Sequence, residues 1–506
     1  MKALIAFIRK YSVVFWAILL VFSLKLGADL RSVGYSVKPD PFIILDEHTN
    51  VWHGLSIRDS GIPAGWSILD AYMTNSKETG AGGRIDGFNL TVADVKPSLG
   101  NFSSYPKPAI GVAEYDFARG ITQSRLSHTR IVQPYLDHPP FGALVLSLFV
   151  NKDAKTFGDV SSYDMRRAAI FLGILTQFLI FVLALQMSRK PLVGLIASTV
   201  YGTVPSYLLM ERYALLENVM APLILLGLII LIFAKAKSSR ALLVAGGVVG
   251  GLLALTKLAG WVFVLSFAAL LLYWKFKIKD ILHYLIPAII IGSLSFVWGL
   301  WLAPKLFLDL FLFQSVERGF IGSINLLVTA FKVSIFNFPV DGWWIGGFIA
   351  LLLIPKKREY MPMIFSIVAT LFSALWLVGA NFPWYFIPLI PFASIAIALF
   401  FYNLATSPTF SSILLAFLVF VSSSFYWGYG VFQKNQPFGI YRLLFLIFVG
   451  AGAFWAFYKK SKRFKKVWFW GVILLLLTLT LLNRRSLFFI LDNWGKLPLI
   501  YTPGTF

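Results

Sequence analysis

The chain contains no cysteine, which removes disulfides, thiolate nucleophiles and thiolate metal sites from consideration. Charge is scarce too: only 13% of its 506 residues are Asp, Glu, Lys or Arg, about half the share of an ordinary soluble domain. With 58% hydrophobic residues, water is not its main solvent. Only five histidines occur, and His48, His53, His128 and His138 fall in one polar stretch. There is no fixed-period repeat and no low-complexity tract, so the inverted-repeat architecture of many transporters finds no support. Short alternating strands are also missing, and continuously apolar runs such as Leu223 to Phe233 exclude a membrane barrel.

What is present is a succession of apolar runs, many near the roughly 20 helical residues that cross a hydrocarbon core of about 30 Å. They predict an all-α polytopic membrane protein with thirteen transmembrane helices, at 11–27, 166–187, 192–210, 213–234, 241–256, 258–274, 281–302, 340–354, 361–378, 384–402, 410–430, 439–457 and 467–482. Basic Lys2, Arg9 and Lys10 precede the first run, and no small-residue cleavage pattern follows it, so it reads as an uncleaved helix. The 34 residues from Ala241 to Trp274 would rise about 50 Å as one helix, too long for one crossing, and are divided near Lys257.

The net charge of +22 does not point to nucleic acid, because the basic residues sit in short loops between apolar runs. Arg189-Lys190, Lys235 to Arg240, Lys275 to Lys279, Lys356 to Arg358 and Lys459 to Lys466 all fall on one side of the bilayer. The positive-inside rule makes that side, and the N-terminus, cytoplasmic. The expected plan is a first transmembrane helix (1–27), a large non-cytoplasmic loop with an interfacial helix (28–165), a transmembrane bundle (166–302), a second outer loop (303–339), C-terminal transmembrane helices (340–482) and an outer tail (483–506).

Candidates for chemistry collect at the outer surface. Asp46-Glu47 is an acid pair some twenty residues past the first helix, suited to a general base, though a dipeptide alone reads equally as two solvated loop acids. In Asp137-His138-Pro139-Pro140 the paired prolines fix the entry of a helix and set Asp137 and His138 at its lip. Arg166-Arg167 opens the second membrane helix, where snorkelling and phosphate binding both suit an arginine. Glu217 lies inside an otherwise apolar helix, and ionisable groups at membrane depth usually face a cavity or a partner. Arg212 is one such partner, and Lys257, at the break between two helices, points to the same surface. Arg and Lys beside a carboxylate pair suit a reaction with an anionic lipid leaving group. Two sequons, at Asn89 and Asn101, decide nothing.

These motifs, in this order, resemble the protein O-mannosyltransferase family and the wider GT-C superfamily, which includes the aminoarabinose transferases that modify lipid A. Asp46-Glu47 resembles the family's Asp-Glu pair and Asp137-His138-Pro139-Pro140-Phe141-Gly142 its His-Pro-Pro-Leu-Gly segment. Arg166 with Gly173, Arg212 to Glu217, Gly251 to Lys257, and Trp384 to Pro391 with Tyr385 resemble four later elements. The chain departs from the pattern in the long spacing of Asp46 from His138, in Ala143 where a Lys is common and in Glu217 for Asp.

The resemblance implies a GT-C fold and an inverting glycosyltransferase that moves a mannose-like sugar from a polyprenyl-phosphate donor to an acceptor hydroxyl on protein, lipid or glycan. Asp46 would be the base, with Glu47 beside it. Arg166, Arg212 and Lys257 would bind the donor phosphate, and Asp137, His138, Glu217 and Tyr385 would position the reactants. Some relatives hold a divalent metal; no metal-ligand spacing is present here, so no metal and no other cofactor are expected. The rival from another class is a membrane transporter or lipid flippase, which also uses sparse intramembrane charges. Acceptor selection is expected in the segment from about Trp66 to Gln133.

Overall fold

The computed structural model describes residues 12–37, 45–67, 130–132, 134–151, 154, 160–314, 334–335, 338–339, 341–355, 357–374, 383–428, 438–458 and 461–493. The expected sequons, His128, most of the acceptor segment and the basic residues at 2–10, 356 and 459–460 lie outside them.

The chain is helical. A long helix α1 (Ser12–Ser32) is followed by α2 (Leu45–Ser60) and α3 (Pro140–Ser147), then by α4 (Ser162–Ser188), α5 (Pro191–Thr203), the single-turn α6 (Pro205–Met210) and α7 (Leu216–Lys237). Next come α8 (Arg240–Thr256), α9 (Gly260–Tyr273), α10 (Ile278–Leu302) and α11 (Pro304–Leu312). The C-terminal part holds α12 (Gly342–Leu352), α13 (Met361–Phe372), a 3-10 segment (Pro383–Leu389) running into α14 (Ile390–Thr406), a helix from Phe410 to Gly428 with a π-helical middle, then Phe438–Tyr458 and Lys462–Asp492. Seven of the described helices are long and apolar enough to cross a bilayer, and five shorter ones are apolar. Each apolar run read from the sequence overlaps a described helix, but 192–210 is divided between α5 and α6 at Pro205 and 384–402 begins as the 3-10 segment, so the thirteen runs are not thirteen full-length crossing helices.

Boundaries differ from expectation at three places. The first helix runs on to Ser32 because one face of its last turns is packed: Leu30 and Arg31 are buried against the later bundle, while Asp29 on the other face is exposed. The last helix extends to Asp492, so 483–492 are not tail, and Asn483, Ser486, Leu487 and Ile490 face the bundle. The stretch expected to lie flat on the membrane is α3, whose Gly142, Ala143, Leu146 and Ser147 are buried. It is part of a small core with Val51, Trp52 and Leu55 of α2 and Met165, Ala168 and Leu172 of α4.

Local chemistry explains the punctuation. Pro140, Pro191, Pro205 and Pro304 start helices at positions where the missing N–H costs nothing. Ser161, Ser239 and Asp341 cap α4, α8 and α12 by accepting the backbone N–H of Asp164, Leu242 and Trp344. Lys257 ends α8 in extended conformation, which confirms the break inside the 34-residue apolar run. Small residues then let neighbouring helices approach: a Cβ at Gly247 would stand 2.1 Å from the Tyr284 carbonyl of α10, and one at Gly251 2.6 Å from Ile291 Cβ.

Two short antiparallel ribbons complete the described structure. In one, Gly65, Trp66 and Ser67 pair with Val132, Ile131 and Arg130. This ribbon closes the base of the long stretch between the acid pair and His138, so the unusual spacing in sequence does not separate α2 from α3.

Candidate active site

The site is organised by the turn at 211–215, between α6 and α7. Glu47, in the first turn of α2, is fully buried and accepts from Arg166 Nε at 2.7 Å, Arg166 Nη2 at 2.9 Å and the Ala214 N–H at 3.0 Å. Asn50, one helical turn on, donates to the Ala214 carbonyl at 3.0 Å. The N–H and the carbonyl of Ala214 are therefore both held by side chains of one helix. Arg166 also donates to the Tyr35 carbonyl and lies over the Tyr213 ring, 4.7 Å from its centroid. Asn218 donates to the Tyr213 carbonyl at 2.7 Å and Arg212 to the Leu30 carbonyl at 2.7 Å.

A second buried network ties that turn to α1. Arg31 forms an ion pair with Glu211 through Nε at 3.1 Å and Nη2 at 2.8 Å, and donates to Gln177 Oε1 at 2.8 Å. Space for it comes from absent side chains: a Cβ at Gly173 would meet Arg31 Nε at 2.7 Å, and one at Gly202 would meet Gln177 Nε2 at 2.4 Å. Burial raises the Glu211 carboxyl to about 7 even with Arg31 beside it.

These contacts fix where Asp46 stands. Its neighbour Glu47 points inward and is locked, so Asp46 is left exposed on the helix surface, on a helix rather than in the loop the sequence suggested. Across from it, Lys257 Nζ pairs with Glu217 Oε1 at 2.5 Å and sits 4.5 Å from the centroid of the Tyr385 ring. Burial works to lower the lysine, but Glu217, Tyr385 and Asp46 together outweigh it and leave its pKa raised, so it is a cation at neutral pH. Asp46 is close enough to act on that charge. Glu217, Lys257 and Tyr385, with Phe263, Thr370 and Ser373, line a narrow cavity between α7, α9, α13 and the 3-10 segment.

The expected residues thus divide. Asp46, Glu217, Lys257 and Tyr385 converge. Glu217 takes Lys257 as its partner, and not Arg212, because the helix break brings the ammonium over the first turn of α7. Arg166 and Arg212 were expected to face a phosphate, yet both are fully buried, and neither lines the cavity at Lys257. Arg166 offers its fork to Glu47, and Arg212, with Arg166 and Arg31 nearby, has its pKa lowered to about 9, chiefly by burial. Asp137 and His138 line a different cavity, on the far side of the Lys257 break. Among the described residues no group of three or more His, Asp or Glu side chains could hold a metal ion. Sequence reading passed over Arg31, Asn50 and Gln177, although an arginine near the end of a membrane helix and a glutamine within another are the kind of costly polar group that signals a partner.

Residues 135–310 match the profile of the family described as dolichyl-phosphate-mannose-protein mannosyltransferase. The match covers roughly a third of the chain; it includes Asp137, His138, Arg166, Arg212, Glu217 and Lys257 and leaves out Asp46, Glu47 and Tyr385. No curated protein matches the chain by sequence. Among solved structures, ArnT from Cupriavidus metallidurans is similar with 16% identity and a TM-score of 0.43, over 72% of this chain and 70% of that one. The oligosaccharyltransferase AglB from Archaeoglobus fulgidus is similar with 12% identity and a TM-score of 0.47, over 94% of this chain and 56% of that one.

Proposed function

We propose that the protein transfers a sugar, mannose or a close relative, from a polyprenyl-phosphate donor to an acceptor hydroxyl with inversion at the anomeric carbon, and that Asp46 is the general base. The observation that carries this reading is the exposed Asp46 carboxylate standing within electrostatic reach of the Lys257–Glu217 pair.

In the reaction the acceptor oxygen attacks the anomeric carbon, its proton passes to Asp46, and the bond from that carbon to the phosphate oxygen breaks. The leaving polyprenyl phosphate gains a negative charge. Lys257 is the residue to receive it: its ammonium has three donors, of which Glu217 occupies one, and it is largely shielded from water, with a side-chain exposure of 14%. Glu217 and the Tyr385 ring keep the ammonium in place. The phosphate role given by the family resemblance to Arg166 and Arg212 is better read as support, since each is committed to a buried partner. The matched family is described as transferring mannose to protein, which favours a protein acceptor; a lipid or glycan hydroxyl uses the same chemistry. The one-sided basic loops support a non-cytoplasmic active site with the N-terminus in the cytoplasm.

The test is transfer of radiolabelled sugar from polyprenyl-phosphate donors in membranes that contain either the wild type or Asp46→Asn at matched expression. Loss of transfer in the variant, by about a hundredfold or more as removal of a general base gives, supports the assignment. Equal transfer by both removes Asp46 as base, and absence of transfer with mannosyl, glucosyl and aminoarabinosyl donors removes the enzyme reading.

A further inference from the structure

Glu217 opens α7, and the other end of that helix carries a cluster of cations. Lys235, in the last turn, is about 27 Å from Glu217 along the axis at 1.5 Å per residue. Its Nζ stands 4.4 Å from the centroid of the Trp274 ring, a buried side chain at the end of α9. Lys190, between α4 and α5, places its Nζ 4.8 Å from the centroid of the Tyr402 ring near the end of α14. The turn Arg358–Tyr360 packs against the end of α4 and links the two lysines. Arg358 and Glu359 are close enough to act on the charge of Lys235, and Glu359 and Lys190 to act on the Tyr360 hydroxyl. Lys190 and Arg358 are exposed and Lys235 is half-buried. Among the described residues none of these three basic side chains makes a hydrogen bond or an ion pair.

Three cations from three turns thus share the field of one carboxylate, Glu359. Like charges that served only to orient the chain in the bilayer would lower their repulsion by spreading into solvent. Here they are held. The rings beneath Lys190 and Lys235 fix each ammonium from one side and leave its N–H donors free on the other. The turns around them are sharply defined: Arg189, Ser238 and Lys275 have φ of 58, 49 and 65°, a left-handed conformation that non-glycine residues keep only where the surrounding structure fixes it. Exposed Phe233, Tyr273 and Leu352 lie close in sequence to Lys235, Trp274 and Arg358, so apolar surface begins beside the charges. A soluble anion gains nothing from that surface, whereas a lipid carries a phosphate with acyl chains beneath it. We propose that Lys190, Lys235 and Arg358 form a site for the phosphate headgroup of an anionic phospholipid, in the leaflet read as cytoplasmic from the basic loops. The site lies at the far end of α7 from Lys257 and Asp46 and does not rest on the glycosyltransferase reading.

The experiment is amine footprinting of the full-length protein in nanodiscs, with an acetylating reagent and mass spectrometry of the peptides. Phosphatidylcholine discs are compared with discs that also contain phosphatidylglycerol. The anionic lipid slows acetylation of Lys190 and Lys235 by about fivefold, the factor that roughly 1 kcal/mol per basic side chain at an anionic surface represents. The exposed Lys277, Lys279 and Lys465, on the same side of the bundle, keep nearly their original rates. Arg358→Gln, a change the reagent does not itself read, returns Lys190 and Lys235 toward their rates in phosphatidylcholine, whereas Lys277→Gln does not. The protection is read in the wild type first, so a variant that fails to fold does not remove the test. Equal slowing of all these lysines marks diffuse surface charge and overturns the site. Inorganic phosphate that protects Lys190 and Lys235 in phosphatidylcholine discs as well as the lipid does overturns the lipid as ligand in favour of a soluble anion. Protection that survives Arg358→Gln overturns the three-residue site. No protection by phosphatidylglycerol overturns the proposal outright and turns the cluster toward an acidic protein. Sugar transfer plays no part in this readout, so its failure and that of the glycosyltransferase reading are separate results.

Discussion

Removing Glu47 should unfold this protein far more readily than removing its neighbour Asp46. Glu47 and Arg166 are both at 0% side-chain exposure, and the carboxylate receives three N–H groups at 2.7, 2.9 and 3.0 Å. In Glu47→Ala the guanidinium stays buried with its partner gone, a loss of about 3–5 kcal/mol for breaking one side of a buried pair. Arg166→Ala leaves the carboxylate in the same position and costs a similar amount. Most of either loss is the stranded charge and not the missing attraction, so the double variant Glu47→Leu/Arg166→Leu recovers much of it, and the two single effects are strongly non-additive. The assay is thermal unfolding of detergent-solubilised protein, followed by size-exclusion chromatography, for the wild type, both single variants and the double. Strict additivity, or a Glu47→Ala protein as stable as the wild type, would falsify the clamp. An Arg166→Lys protein of unchanged stability whose donor KM rises would return Arg166 to the phosphate.

Further outcomes follow from the same geometry. Asp46→Asn melts within about 1 kcal/mol of the wild type, because the field of an exposed carboxylate is screened by solvent, and differential scanning fluorimetry reads this beside its transfer defect. Lys257→Met raises the donor KM about tenfold or more with little change in acceptor KM, and Lys257→Arg restores part of the loss, in initial-rate kinetics at two donor concentrations. Gly173→Leu forces a side chain into the Arg31 guanidinium and lowers stability by roughly 1–3 kcal/mol or more, measured by urea unfolding. Acid should also destabilise the fold through α2. His48 and His53 are each lowered to about 3, in both cases chiefly by burial and for His48 also by Arg166, so the folded state keeps them neutral. Between pH 6.5 and 3 the unfolded chain binds the extra protons, and stability present above pH 6.5 falls on acidification, by on the order of 1 kcal/mol per pH unit for each histidine. His53→Phe flattens that slope in melting curves taken across the range.

The sequence by itself determined the solvent, the helical architecture and the break at Lys257. Continuous apolar runs with so few charges fold as helices in lipid, and the length limit of a bilayer forces a break in 34 apolar residues. It also singled out Glu217 and Lys257, since ionisable groups within apolar runs are too costly to keep without a partner, while Asp46 stood out as half of an acid pair and Tyr385 through the family resemblance. What it did not determine was which partner. An arginine near the start of a membrane helix reads alike as snorkelling, phosphate binding or pairing, and only the packing of α2 against α4 and the 211–215 turn assigned Arg166 to Glu47. Arg31, Gln177 and Glu211 meet across 146 and 180 residues of sequence, and glycines on three helices admit them, a coincidence that no local pattern carries. The separation of Asp137 and His138 from Lys257 was likewise decided in three dimensions, because adjacent residues at a helix end can face opposite sides of the chain. Periodicity and length report on the solvent around a segment, which is a local property. Pairing and cavity shape depend on which distant segments share a surface, and that is fixed only when the whole bundle has packed.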